Sequence, residues 1–153
     1  MEFVAIRTQA PMSALSQVIP KLHREVMAWL KGHGQKADGP PFIRYLVIDM
    51  PKALDIELGW PVAKAITQTG RLHGGALPAG RYVSLLFTGP YDQLVQANAD
   101  LQAWAKAKHV TLEGRETPKG KAFASRAEFY ITDPGNEPDP RKWKTEILYL
   151  VAR

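Results

Sequence analysis

The stretch ALPAGRYVSLLFTGPYDQL, residues 76–94, repeats a pattern that the chain has already used in EFVAIRTQAPMSAL, residues 2–15. Each stretch contains an alternating apolar run typical of a strand, then a proline, then the start of a segment with helical spacing. Val4 aligns with Val83, and the match continues without a gap as far as Leu101. The sequence therefore predicts a fold built from one unit used twice.

The repeated unit is predicted to be β-α-β-β. A unit of this size has too little core to fold alone, and pairing two of them buries a shared core. We therefore predict an α+β fold in which the duplicated β-α-β-β units form an antiparallel sheet with helices packed on it, related by a pseudo-twofold axis. A single domain, 1–153, is expected, with repeat units at about 1–69 and 77–153. The predicted strands are 2–9, 42–49, 54–62, 80–88, 126–133 and 143–152.

The segments between these elements are rich in proline and glycine. Residues 32–41, 70–80 and 134–140 are predicted to be loops. In the first helix, Pro20 predicts either a kink or a helix that becomes regular only after Ser16.

Composition excludes several classes of function. The chain has 153 residues, of which 45% are hydrophobic and 23% charged, and it has no cysteine. Disulfides, cysteine-based zinc sites and a cysteine nucleophile are thus excluded, and the histidines show no metal-ligand spacing, so no metal or cofactor is predicted. No run approaches the roughly 20 apolar residues of a membrane span, and no secretory signal is evident, which fits a cytoplasmic protein. The net charge of +5 is interpreted as solvated basic loops, with a nucleic-acid role as a weaker hypothesis.

Two glutamates stand at equivalent places on apolar strands. Glu57 in DIELGWPV aligns with Glu146 in KTEILYLV, and Tyr45 aligns with Tyr130. A carboxylate among apolar residues must face solvent or be paired, because burying it alone is costly. Glu146 is therefore either an exposed residue of an edge strand or, with Glu57, part of a central site for a cation.

Strand alternation suggests which aromatic residues accompany such a site. In 126–133, Phe129 and Ile131 share one face, which we expect to pack against the helices. Glu128 and Tyr130 share the other face, which makes them cavity candidates. Tyr91 stands at a helix start, where it either closes the mouth of the pocket or caps the helix.

Three segments carry a resemblance to a known family. LPAGRYVSLLFTGPYDQL, AEFYITDP and TEILYLV, in this order, resemble the GyrI-like small-molecule-binding family, which is similar to the effector-binding domain of multidrug-responsive transcription activators. The resemblance implies a ligand cavity near the pseudo-twofold axis and an acidic residue, here Glu146, that faces cationic aromatic ligands. Because no DNA-binding segment precedes residue 1, a stand-alone form is expected.

The favoured function is therefore the capture of amphipathic, aromatic, often cationic compounds. As an alternative, the resemblance implies a hydrolase of strained, cyclopropane-bearing natural products, in which Glu146 acts as general acid or base. A homodimer is left open. The candidate ligand-binding residues are Glu146, Glu57, Tyr130, Tyr45, Tyr91, Glu128 and Trp60.

Overall fold

An antiparallel sheet forms the centre of the fold and carries two α-helices. The computed structural model describes residues 1–49, 52–67 and 70–153. Within these residues the sheet has nine strands. The elements in chain order are β1 (Glu2–Ala10), α1 (Leu15–Gly32), β2 (Phe42–Asp49), β3 (Ala53–Val62), β4 (Leu72–Ala76), β5 (Tyr82–Thr88), α2 (Leu94–Ala107), β6 (Arg115–Thr117), β7 (Gly120–Ala122), β8 (Arg126–Tyr130) and β9 (Lys144–Leu150).

The order of the strands shows the duplication. The sheet runs β4-β1-β3-β2-β8-β9-β5, and β7 pairs with β6 and with the end of β2. Val4 on β1 lies opposite Trp60, and its equivalent Val83 on β5 lies opposite Tyr149. The register of both outer pairs therefore follows the alignment read from the sequence, and the predicted α+β fold is confirmed.

The two halves meet where β2 pairs with β8. Ile43 lies directly opposite Glu128, and these two positions are equivalent in the repeat. The pseudo-twofold axis therefore passes between them. It relates Tyr45, two residues after Ile43, to Tyr130, two residues after Glu128.

Both helices pack on one face of the sheet. Leu22 of α1 is buried in a cluster with Val4 and Ile43, and Leu101 of α2 is buried in a second cluster with Val83. Tyr130 packs against both clusters. The two leucines, which are equivalent in the repeat, are therefore buried against the same face of the sheet.

The other face of the sheet is also apolar, which overturns one expectation. Phe129 packs with Phe3 and Phe42 in a separate cluster to which Leu77 contributes, while Tyr130 points to the helices. The expectation that Phe129 faces the helices, and Tyr130 the opposite side, is wrong. The alternation of side chains along a strand divides them between the two faces of the sheet. It does not show which face the helices cover when both faces are buried.

The segment 70–80 is not all loop, because β4 runs through it and pairs with β1. Its glycines permit close packing: a Cβ on Gly75 would lie 2.6 Å from the ring of Phe3, and one on Gly74 would collide with the carbonyl oxygen of Ile66. The hairpin of β6 and β7 was likewise not predicted. Helix α1 begins at Leu15 and continues through Pro20.

We predict that Leu101→Ala lowers the free energy of unfolding by about 2–5 kcal/mol, because it leaves a cavity between α2 and the sheet. Val95→Ala on the same helix is the control, since Val95 is 61% exposed, and it should change stability by less than about 0.5 kcal/mol. Urea denaturation measures both values. Equal effects of the two substitutions would mean that the buried stripe of α2 is misassigned.

Candidate functional site

Glu128 is the centre of a hydrogen-bonded cluster on the helix side of the sheet. Its Oε1 accepts hydrogen bonds from the hydroxyls of Tyr45 and Tyr130, each at 2.8 Å. Its Oε2 accepts one from Nδ2 of Asn98 on α2, at 2.7 Å. The residue is only 3% exposed. All three partners are donors, which is the environment that an ionised carboxylate requires.

The duplication explains why two tyrosines reach one carboxylate oxygen. Glu128 and Ile43 face each other across the axis. Tyr45 and Tyr130 are related by the same axis, so they approach from opposite sides. Because Ile43 has no charge, one acid serves both tyrosines.

Asn98 is itself held by the sheet. The Tyr149 hydroxyl donates to Oδ1 of Asn98 at 2.5 Å, and Gln102 donates to the Tyr149 hydroxyl at 3.2 Å. Nδ2 of Asn98 also donates to the carbonyl of Leu94. These contacts fix the orientation of the amide, so that its NH₂ group points at Glu128.

Further aromatic rings surround this cluster. Tyr91, in the turn before α2, meets Tyr130 edge to face with a centroid distance of 5.5 Å and lies 4.7 Å from Trp143. Gln93, rather than Tyr91, occupies the N-cap position of α2. The ring of His23 on α1 also meets the ring of Tyr130 edge to face, with a centroid distance of 6.2 Å.

Burial and charge both act on the two tyrosines. The pKa of Tyr45 and the pKa of Tyr130 are raised well above the ordinary value, first by burial and then by the negative charge of Glu128. Both hydroxyls therefore stay protonated, and remain donors, far into the alkaline range.

His23 of α1 and Trp60 of β3 pack together beside the cluster, with their ring centroids 6.2 Å apart. Burial lowers the pKa of His23, whose Nε2 is 2.9 Å from the carbonyl oxygen of Phe42. Trp60 donates its Nε1–H to the carbonyl of His23 at 3.0 Å. Trp60 thus lies on the helix side, fixed to the helix, and does not contact Glu128 through a hydrogen bond.

Glu146 does not lie with the tyrosines. It pairs with Phe129 on one side and Leu86 on the other, and it therefore shares their face of the sheet. Its side chain is partly exposed. The expectation that Glu146 shares a cavity with Tyr130 or Tyr45 is therefore wrong. The side chain of Glu146 leaves the sheet on one face, and those of the two tyrosines leave it on the other.

Glu57 also lies on the face away from the helices, where its negative charge is balanced by basic side chains. Its Oε1 is 3.0 Å from Nη1 of Arg44, and its Oε2 contacts Nε2 of His73. Arg44 also donates to the carbonyl of Ala124 at 2.6 Å. These contacts form the wall of an open cleft of about 560 Å³. Glu57 is thus part of an ion-paired group separated by the sheet from Glu128.

Sequence reasoning included Glu128 among the candidates but missed Asn98 and Tyr149. A signal for Asn98 was present, because it follows Leu94 by four residues and so lies on the buried stripe of α2. A polar residue on such a stripe needs a buried partner.

The family assignment follows from the sequence as a whole. Residues 1–151 match the family described as the GyrI-like small molecule binding domain. The chain belongs to this family. The comparison with curated proteins gave no match.

Solved structures share this GyrI-like fold. A chain of EcmrR, solved in a complex with DNA, is 25% identical with a TM-score of 0.76; the match covers 99% of this chain and 54% of that one. This chain thus spans about half the length of EcmrR. The C-terminal domain of EcmrR is 22% identical with a TM-score of 0.72, covering 99% and 92%. SAV2435 bound to tetraphenylphosphonium is 12% identical with a TM-score of 0.64, covering 99% and 88%. The last two likenesses show the fold alone.

Two kinds of feature are absent from the residues that the structure describes. No helix there has the length and apolar character needed to cross a membrane. No group of three or more histidine, aspartate or glutamate side chains in that part of the chain is arranged to hold a metal ion.

We predict that the free energy of unfolding of this GyrI-like domain falls as the pH rises above about 10. The folded state retains the protons of Tyr45 and Tyr130 at a pH where an unfolded chain releases them, so unfolding becomes more favourable. In the double variant Tyr45→Phe/Tyr130→Phe the fall should be smaller. Urea denaturation at a series of alkaline pH values measures it.

Glu128→Gln tests the electrostatic part of this prediction. Without the carboxylate charge the two tyrosines should ionise at a lower pH, which the absorbance of tyrosinate reports. If Tyr45→Phe/Tyr130→Phe loses as much stability at alkaline pH as the parent protein does, the two hydroxyls do not control the alkaline transition.

We also predict that Arg44→Leu lowers the free energy of unfolding by about 3 kcal/mol, because Glu57 is left buried without its arginine. The double variant Arg44→Leu/Glu57→Leu should be more stable than Arg44→Leu alone, since it removes the uncompensated charge. Additive losses in this double-mutant cycle would contradict the coupling.

Proposed function

We propose that this GyrI-like domain binds amphipathic, aromatic, cationic small molecules at Glu128. The observation that carries the proposal is the charge of the site. Glu128 is buried, its partners Tyr45, Tyr130 and Asn98 are neutral, and none of the described residues forms a salt bridge with it. A buried carboxylate with hydrogen bonds but no counter-charge is suited to receive a cation from outside.

The energetics favour an organic cation over a neutral molecule of the same shape. At an effective dielectric constant of about 20, a carboxylate and a cation about 4 Å apart attract by roughly 4 kcal/mol before desolvation is counted. Each aromatic face in contact with the cation adds about 0.5–2 kcal/mol. Tyr45, Tyr130 and Tyr91 supply such faces, and Trp60 extends the wall on the side of α1.

The position of Tyr130 indicates how a ligand enters. Its ring packs against the clusters of both helices, so it fills the space between α1 and α2. A ligand that reaches Glu128 must therefore displace this ring or part the helices. We expect flat or propeller-shaped aromatic cations to bind by replacing the contacts that Tyr91 and Tyr130 make with each other.

A hydrolase remains the second candidate. A structure from Listeria innocua described as a hydrolase shares the fold, with 16% identity and a TM-score of 0.62. In such a reaction a pocket carboxylate acts as general acid or base, and Glu128 is better placed for this role than Glu146. Binding is preferred because the three contacts of Glu128 are all donors that hold the carboxylate in place. Mass spectrometry of a strained electrophile incubated with the protein distinguishes turnover from binding.

The test compares a cation with a neutral analogue. Glu128→Gln keeps the shape of the site and removes its charge. We expect it to weaken tetraphenylphosphonium by about tenfold to hundredfold, and triphenylphosphine oxide by much less. Isothermal titration calorimetry gives the affinities.

Glu146→Gln is the matched control, because it makes the same chemical change on the other face of the sheet. It should leave both affinities unchanged. If Glu128→Gln weakens both ligands equally, or neither, Glu128 is not the receptor for the cation. If Glu146→Gln has the larger effect, the site lies on the other face.

A further inference from the structure

Arg126 on β8 is held between two aromatic rings. Its guanidinium carbon lies 3.7 Å from the ring centroid of Phe123 and 4.0 Å from that of Tyr149. Contact with two rings restricts the orientation of the guanidinium and leaves the N–H donors at its edge for other partners.

Those donors have no acceptor within the described residues. Arg126 forms no salt bridge there, and its Nε is buried without a hydrogen-bond partner. Burial lowers the pKa of Arg126, and the nearby Tyr149 and the charge of Glu113 offset this only in part. Buried donors are almost always satisfied, so the unpartnered Nε of Arg126 needs an explanation.

The side chain borders an open cleft of about 340 Å³ beside the C-terminal half of α2. Lys106 and Lys121 stand at the cleft, whereas Val110 and Leu112 give it an apolar part. Its one acid, Glu113, already accepts a hydrogen bond from the backbone N–H of Ala124 at 2.7 Å. The cleft therefore combines three cations and one carboxylate with an apolar surface, and its cations outnumber its acid.

We propose that this cleft is a second ligand site, which binds a small organic anion, a carboxylate or phosphate group on an apolar body, through the free edge of Arg126. A guanidinium edge matches the two oxygens of either group in a bidentate contact. Lys106 and Lys121 add attraction over the cleft, and Val110 and Leu112 contact the body of the ligand. The volume is at the lower end of the range of small-molecule sites, about 300–1,000 Å³, so it suits a single ring better than a drug-sized compound.

This site is separate from the one proposed at Glu128 and opposite in charge. Tyr149 lies between them, with its ring on Arg126 and its hydroxyl on Asn98. The two proposals are independent, because a cation at Glu128 and an anion at Arg126 are tested with different ligands and different substitutions.

The experiment is an NMR titration of the complete chain with phenyl phosphate, benzoate, inorganic phosphate and benzyl alcohol. Phenyl phosphate and benzoate distinguish the two anionic groups, inorganic phosphate lacks the apolar body, and benzyl alcohol lacks the charge. The Nε–H resonance of Arg126 is the reporter in the parent protein, and the backbone amides of Val110 and Leu112, which line the cleft, report binding in every variant. The titration is repeated with Arg126→Gln, Lys106→Gln and, as a control of equal chemical change at an exposed position of α1, Arg24→Gln.

We expect phenyl phosphate or benzoate to shift the Arg126 resonance and to bind at least about tenfold tighter than benzyl alcohol and inorganic phosphate. Arg126→Gln should weaken the anion about tenfold or more, Lys106→Gln about threefold, and Arg24→Gln not measurably. Lys106→Gln keeps the test valid if Arg126→Gln fails to fold, since Lys106 is exposed. The proposal is overturned if neither anion binds, if benzyl alcohol binds as tightly, or if the Lys106 and Arg24 variants behave alike.

Discussion

The pairing of β2 with β8 is the contact on which the rest of the structure depends. It consists of three opposed residue pairs, with Ile43 and Glu128 in the middle. This short contact joins the sheets of the two units into one and sets the position of the pseudo-twofold axis. It also places Tyr45 and Tyr130 on either side of Glu128, so that the cluster arises beside the axis, where the two units contribute equivalent tyrosines.

Duplication produces a symmetric frame, and the site depends on where that symmetry is broken. If Ile43 were also an acid, two carboxylates would oppose each other with Cβ atoms about 4.5–5.5 Å apart, and their repulsion would have to be relieved by protonation or by a cation. The same asymmetry extends to the helices, since Asn98 of α2 corresponds in the repeat to Ile19 of α1. At these two pairs of positions the first unit contributes the apolar side chains of Ile43 and Ile19, and the second contributes the polar side chains of Glu128 and Asn98.

The sequence predicted the architecture better than the site, for physical reasons. An ungapped repeat fixes which residues are equivalent, and strand register follows from it, as the opposition of Val4 to Trp60 and of Val83 to Tyr149 shows. Which face carries the helices does not follow, because Phe129 is buried as deeply as a helix-facing residue would be. The strand β4 was missed for a related reason: its two glycines are typical of a loop, and only the close approach of Phe3 and Ile66 explains why they occur in a strand.

The three glutamates Glu57, Glu146 and Glu128 differ in how their negative charge is stabilised, and this difference selects the one suited to bind a ligand. Glu57 meets Arg44 and His73, so its charge is balanced within the chain, and Glu146 is partly exposed to water. Glu128 has neither a counter-charge among the described residues nor access to solvent, and neutral donors alone do not cancel a buried charge. The same criterion, applied to cations, selects Arg126. A sequence records the identity of each charge but not its partner, and it is the missing partner that marks both proposed sites.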